Sequence, residues 1–102
     1  MPYVKKSQRE NLDPAIDELV NRIVLTCEQD KCEPDGMLNY AMTRMLLKTM
    51  AKGATYIRLE RAIGCLESCK QEFYRRVVAP YENRKVKENG DVFEWVEGGQ
   101  LK

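Results

Sequence analysis

Residues Thr55–Glu88 read TYIRLERAIGCLESCKQEFYRRVVAPYENRKVKE, and this stretch decides the fold. Apolar and small residues recur at Leu59, Ala62, Ile63, Leu66, Cys69, Phe73 and Val77. Their steps of three and four line one face of a helix. Arg58, Arg61, Glu67, Lys70, Gln71, Glu72 and Arg75 fall largely elsewhere. Thr55 stands where an N-cap hydroxyl accepts a bond from an orphan backbone N–H. The spacing predicts one long helix with Pro80 inside it. Proline has no N–H and its ring collides with the carbonyl four residues earlier, so a kink or break is expected near Arg76–Ala79. Gly64 costs about 1 kcal/mol relative to alanine in mid-helix. With Ser68 one turn on, it points to close approach of another helix.

Beyond Pro80 two readings compete. In the preferred one a helix restarts over Tyr81–Glu88, and Asn89-Gly90 supplies a left-handed cap. In the other, Asn89-Gly90 is a type I′ hairpin turn between Arg84–Glu88 and Asp91–Trp95, with Val86 opposite Phe93.

Working outward, Asp13-Pro14 looks like a helix start, an N-cap aspartate with proline at the first helical position. The first main helix is expected to run to about Gln29, with an apolar stripe of Ile16, Leu19, Val20, Ile23, Val24 and Cys27. Before it, Met1–Leu12 reads as a basic polar arm carrying Lys5, Lys6 and Arg9, with capping-box spacing at Ser7 and Glu10. Asp30–Gly36 is a loop. A second helix spans roughly Met37–Lys52 and stops at Gly53. Its main face is Leu38, Ala41, Met42, Met45, Leu46 and Thr49, yet Tyr40, Leu47 and Met50 are apolar on other faces. Its polar remnant is Asn39 with Thr43 and the basic row Arg44, Lys48 and Lys52. So little polar circumference implies burial on more than one side. Three helices in one chain give limited cover, so a homo-oligomer is expected, most simply a two-fold dimer. Asp91–Lys102 (DVFEWVEGGQLK) is an acidic, aromatic tail in which Val92, Phe93, Trp95 and Val96 form a short strand or strap, and Gly98-Gly99 reads as a flexible end. The expected fold is all-α: one domain over 1–102, with three main helices and the third long and kinked at Pro80.

The 102 residues hold 17 Lys and Arg against 16 Asp and Glu, a formal charge of +1, which gives no global pull toward nucleic acid or anionic membrane. No apolar run is long enough to span a bilayer. The start, MPYVKKSQRE, lacks the apolar stretch of a signal peptide, so a cytoplasmic setting is expected. Histidine is absent, which excludes Ser-His and Cys-His nucleophilic chemistry within a single chain type. In a reducing compartment Cys27, Cys32, Cys65 and Cys69 are expected as free thiols. The alternatives are a disulfide or one zinc held by all four, against which the Cys-x4-Cys and Cys-x3-Cys spacings argue.

Two further constellations bear on function. Asp17 and Glu18, with Glu67 or a neighbouring carboxylate of the long helix, could hold a divalent cation for phosphoanhydride hydrolysis. The second is Tyr74, Arg75 and Arg76, then Tyr81, Arg84 and Lys85. Guanidinium forks with tyrosine rings suit phosphate contact and base stacking, and a helix start near Tyr81 adds backbone donors for an anion.

The stretch DELVN (17–21) resembles the acidic first helix of all-α nucleotide pyrophosphatases of the MazG type. Met37 and Asn39 depart from that family's pattern. Over MPYVKK, LNYAMTRMLL and EFYRRVVAPYENRKVKENGDVF the chain resembles a family of short uncharacterised proteins of bacteria, archaea and their phages. That resemblance implies an intracellular setting and a viral or prophage origin, and it carries no activity. The preferred functional reading is a non-enzymatic helical oligomer without cofactor, binding an anionic ligand at Tyr74, Arg75, Arg76, Tyr81, Arg84 and Lys85. The ligand would be a nucleotide or a cyclic nucleotide signal, sequestered by a small phage protein; a nucleic-acid backbone is less favoured. A metal-dependent pyrophosphatase and a protein–protein interaction module are the alternatives.

Overall fold

The computed structural model describes residues 3–93, 96–97 and 100–101, the last four by their backbone alone. Its elements are α1 (Lys6–Asp30), α2 (Asp35–Met50), α3 (Tyr56–Phe73), a π-helical turn (Tyr74–Val78) and α4 (Ala79–Asn89). Two two-residue strands follow, β1 (Val96–Glu97) and β2 (Gln100–Leu101), paired antiparallel with Val96 opposite Leu101. The chain is thus helical, as its periodicity predicts, and its third helical run is 34 residues long and bent. Contacts group the chain into two units, residues 2–65 and 66–102.

In the first unit α1 begins earlier than Asp13-Pro14 suggests. Lys6–Leu12, read as an arm, is helical, and Pro14 lies inside α1. The start is fixed by a different cap from the one the spacing indicated. Gln8 Oε1 accepts the Lys5 N–H at 2.9 Å, and the Gln8 N–H returns to the Lys5 carbonyl at 3.0 Å. Ser7 and Glu10 do not form the cap. With the turns ahead of the proline closed this way, the missing N–H of Pro14 costs one bond without ending the helix.

α1 ends in a left-handed residue, Lys31 (φ 53°), and the Cys32 N–H donates to the Cys27 carbonyl at 3.1 Å. This six-to-one bond is the Schellman closure, which brings the side chains three before and two after the helix end together. Here those side chains are Cys27 and Cys32.

α2 ends before Gly53, whose φ of +66° suits glycine. The Arg58 guanidinium then folds back, and its Nη1 donates to the carbonyls of Lys52 at 2.6 Å and Gly53 at 3.0 Å. One side chain of α3 therefore satisfies acceptors left over at the end of α2. The Thr55 hydroxyl caps α3 as expected, accepting the Arg58 N–H at 3.2 Å. Together these bonds fix the α2–α3 elbow. Arg58→Ala should cost about 1–2 kcal/mol by losing both bonds, read as a lower midpoint in thermal denaturation. An unchanged midpoint would show that the elbow is held by other means.

In the second unit the proline is accommodated rather than obeyed. Instead of breaking, the helix widens by one residue per turn over Tyr74–Val78, and the Ala79 N–H reaches the carbonyl of Tyr74, five residues back. The wider turn gives the carbonyls ahead of Pro80 another route to donors and relieves the ring. α4 then runs to Asn89, and Gly90 (φ +86°) closes it by donating to the Val86 carbonyl at 2.8 Å. The competing hairpin is excluded, because Val86 is helical.

Side chains tell a different story from the backbone. Among the described residues only Cys27 and Ala62 are buried. On α1, Leu12, Ile16, Val20 and Val24 form a row spaced four apart, and each is about half exposed. α2 has no buried residue, although two apolar faces were expected to demand cover. Among the described residues nothing comes near Gly64 either: a Cβ built there meets no atom within 4 Å. The close helix approach that Gly64 suggested is therefore not made among the described residues of one chain. Trp95 and the Gly98-Gly99 end lie outside the described residues.

Candidate functional site

The π turn sets the geometry of the aromatic–basic cluster. Glu72, at the end of α3, has its side chain 15% exposed and accepts two guanidinium groups. Arg75 Nη2 lies 2.8 Å from Oε1, and Arg76 Nε lies 3.0 Å from Oε2. The Arg75 hydrogen bond is the main cause that holds the Glu72 carboxyl below the usual carboxylate range, with partial desolvation opposing it. Across the turn, the Tyr74 hydroxyl donates to Glu82 Oε1 at 2.6 Å. That bond, and then the Glu82 charge, raise the Tyr74 pKa, because ionisation would set two anions together.

On α4 the arrangement is open. Tyr81 is half-exposed, and its ring lies beneath Arg84 Cζ at 5.8 Å and Lys85 Nζ at 5.6 Å from the centroid. Lys85 also reaches Glu88 at 3.1 Å. Arg84 forms no ion pair with a carboxylate among the described residues, so its charge is available.

The six residues singled out from the sequence thus fall into two groups. Arg75, Arg76 and Tyr74 are engaged by Glu72 and Glu82. Tyr81, Arg84 and Lys85 form one exposed aromatic–cationic surface. Glu72→Gln should release Arg76 and weaken the hold on Arg75, so the variant should elute from heparin at higher salt than the unmodified chain. Unchanged or earlier elution would contradict this assignment. Acid should act in the same direction. A depressed carboxylate keeps its pairs above the usual carboxylate range and loses them only as pH falls through its lowered pKa.

The other candidate residues are placed separately. Cys27 is buried, and burial, then the neighbouring Cys32 thiol, push its pKa up. Cys65 and Cys69 are exposed on α3, and all four cysteines are free thiols. Glu18, next to Asp17 in α1, accepts Arg22 Nε at 2.8 Å, and Glu67 accepts Gln71 at 3.3 Å. No group of three or more cysteine or acidic side chains that could hold a metal ion forms among the described residues. No helix there is long and apolar enough to cross a membrane.

One feature escaped the sequence reading. α1 and α2 enclose an open groove of about 510 Å³, floored by Leu19, Ile23, Met37, Ala41 and Met45 and edged by Arg22, Arg44 and Lys48. The signal for it was present, since the basic row Arg44–Lys48 borders apolar positions on more than one face of α2. Farther along, α2 and α3 enclose an uncharged groove of about 340 Å³ at their elbow.

A family model described as a domain of unknown function (DUF6899) matches residues 1–92, in accord with the resemblance to an uncharacterised family. No curated protein and no solved structure matches the chain.

Proposed function

The chain belongs to the family described as a domain of unknown function (DUF6899), and on that premise we propose that it acts as a non-enzymatic binding protein assembled from several copies. One observation carries this reading: the described part of a single chain buries only two side chains. Long helices with apolar faces gain their stability mainly by packing those faces. Leu12, Ile16, Val20 and Val24 on α1, and Leu38, Met42, Met45 and Leu47 on α2, are exposed in one copy. Exposed apolar side chains in such number mark an interaction surface. Other copies of the chain supply the cover. Co-expression of two differently tagged copies tests this directly. Capture through one tag should bring the other in comparable amount, and capture of the tagged copy alone would reject the reading.

A second observation favours an anionic ligand for the assembled protein. Tyr81 offers a half-exposed ring for stacking, with Arg84 and Lys85 beside it for phosphate. A nucleotide or cyclic nucleotide has both parts, and binding without turnover would make the protein a sequestering agent. The pyrophosphatase alternative gains no support, since Glu18 is engaged by Arg22 and, among the described residues, no gathered carboxylates accompany Asp17.

A further inference from the structure

Self-assembly leaves open which face meets the second copy, and the two grooves differ in the property that decides it. In a two-fold interface the same patch is presented by both partners, so a residue i that meets j is matched by j meeting i, and a patch of one charge sign meets its own sign. The α1–α2 groove carries Arg22, Arg44 and Lys48. Face-to-face pairing of that groove would set cations against cations, and only Arg22 has a carboxylate partner among the described residues. Like charges brought together across an interface oppose association.

The α2–α3 elbow has the opposite character. All eight residues lining its groove are uncharged. Leu46, Met50 and Ala62 are its least exposed lining residues, while Leu47 and Ile63, which line it as well, are 58% and 68% exposed. Hollow and projecting side chains therefore occur on one patch, which is what a self-complementary interface needs. Gly64, beside Ile63, leaves open space where a second backbone can come close. The elbow is also held in shape before association, by Arg58 on the Lys52 and Gly53 carbonyls and by the Thr55 cap.

We propose that the uncharged groove at the α2–α3 elbow is the primary two-fold contact between copies, with Leu47 and Ile63 of each chain seated in the groove of the other. The α1–α2 groove, with its basic edge, is not part of this contact. The proposal rests on the self-assembly reading and adds the surface that carries it.

The test uses the full chain with a photo-reactive phenylalanine analogue at position 63. Irradiation should give a cross-linked dimer whose linked peptides lie within residues 46–63 of the second copy. In parallel, Leu47→Glu and Ile63→Glu should each weaken self-association by about thirtyfold or more, the scale of an interface hot spot. Cross-links that map elsewhere in an assembled protein, or glutamate variants that associate as the unmodified chain does, would overturn the elbow contact and leave self-assembly standing. An unmodified chain that stays single under all conditions would overturn both. The cross-linking result does not depend on whether the glutamate variants fold.

Discussion

Diluting the protein should unfold it. Far-ultraviolet circular dichroism would show the helical signal falling with concentration, and the thermal midpoint would fall with it. The reason is in the side chains: one copy buries Cys27 and Ala62, while Ile16, Val20, Val24, Met45 and Leu47 face solvent. Isolated helices owe little of their stability to propensity alone, so the packing energy must come from between copies. For a dimer, each tenfold dilution removes about 1.4 kcal/mol from the folded assembly. In a chain of this size that corresponds to a midpoint about 5 °C lower. A midpoint that stays constant over a hundredfold range would mean that each chain is stabilised from within.

The second large effect concerns the ligand surface. Arg84→Glu combined with Lys85→Glu should lower affinity for nucleoside triphosphates or cyclic dinucleotides by about a hundredfold or more, since each charge-assisted contact contributes about 1.5–3 kcal/mol. Calorimetric titration across such a panel reads the change. Tyr81 would remain, so residual weak stacking is expected. Arg75→Glu should do less, because that guanidinium already serves Glu72. Equal affinity in the double variant, or no binding by the unmodified chain, would contradict an anion site on α4.

Much of the backbone was legible because it depends on local rules. The periodicity of Leu59 to Val77 marked α3, Thr55 marked its cap, and Gly53 marked the stop before it. One misreading came where two local rules compete: at Pro14 the spacing suits a first helical turn, but the Lys5–Gln8 cap starts the helix two turns earlier. At Pro80 the long helix is bent, as its proline predicts, and a π turn over Tyr74–Val78 keeps the chain helical there. Neither choice can be read from a proline alone, because each depends on what the preceding carbonyls find as donors. The ligand cluster was half legible. Composition brought Tyr74, Arg75, Arg76, Tyr81, Arg84 and Lys85 to notice. Only side-chain geometry shows that Glu72 and Glu82 engage the first three. The apolar excess of α2 was plain in the sequence, and its lack of cover in one chain is the structural counterpart.

The mass of the protein in a native mass spectrum tests the central claim most directly. The account predicts an integer multiple of the 11.9 kDa chain, two or more, falling to single chains only together with loss of helix. A folded, cooperative single chain of 11.9 kDa would contradict it.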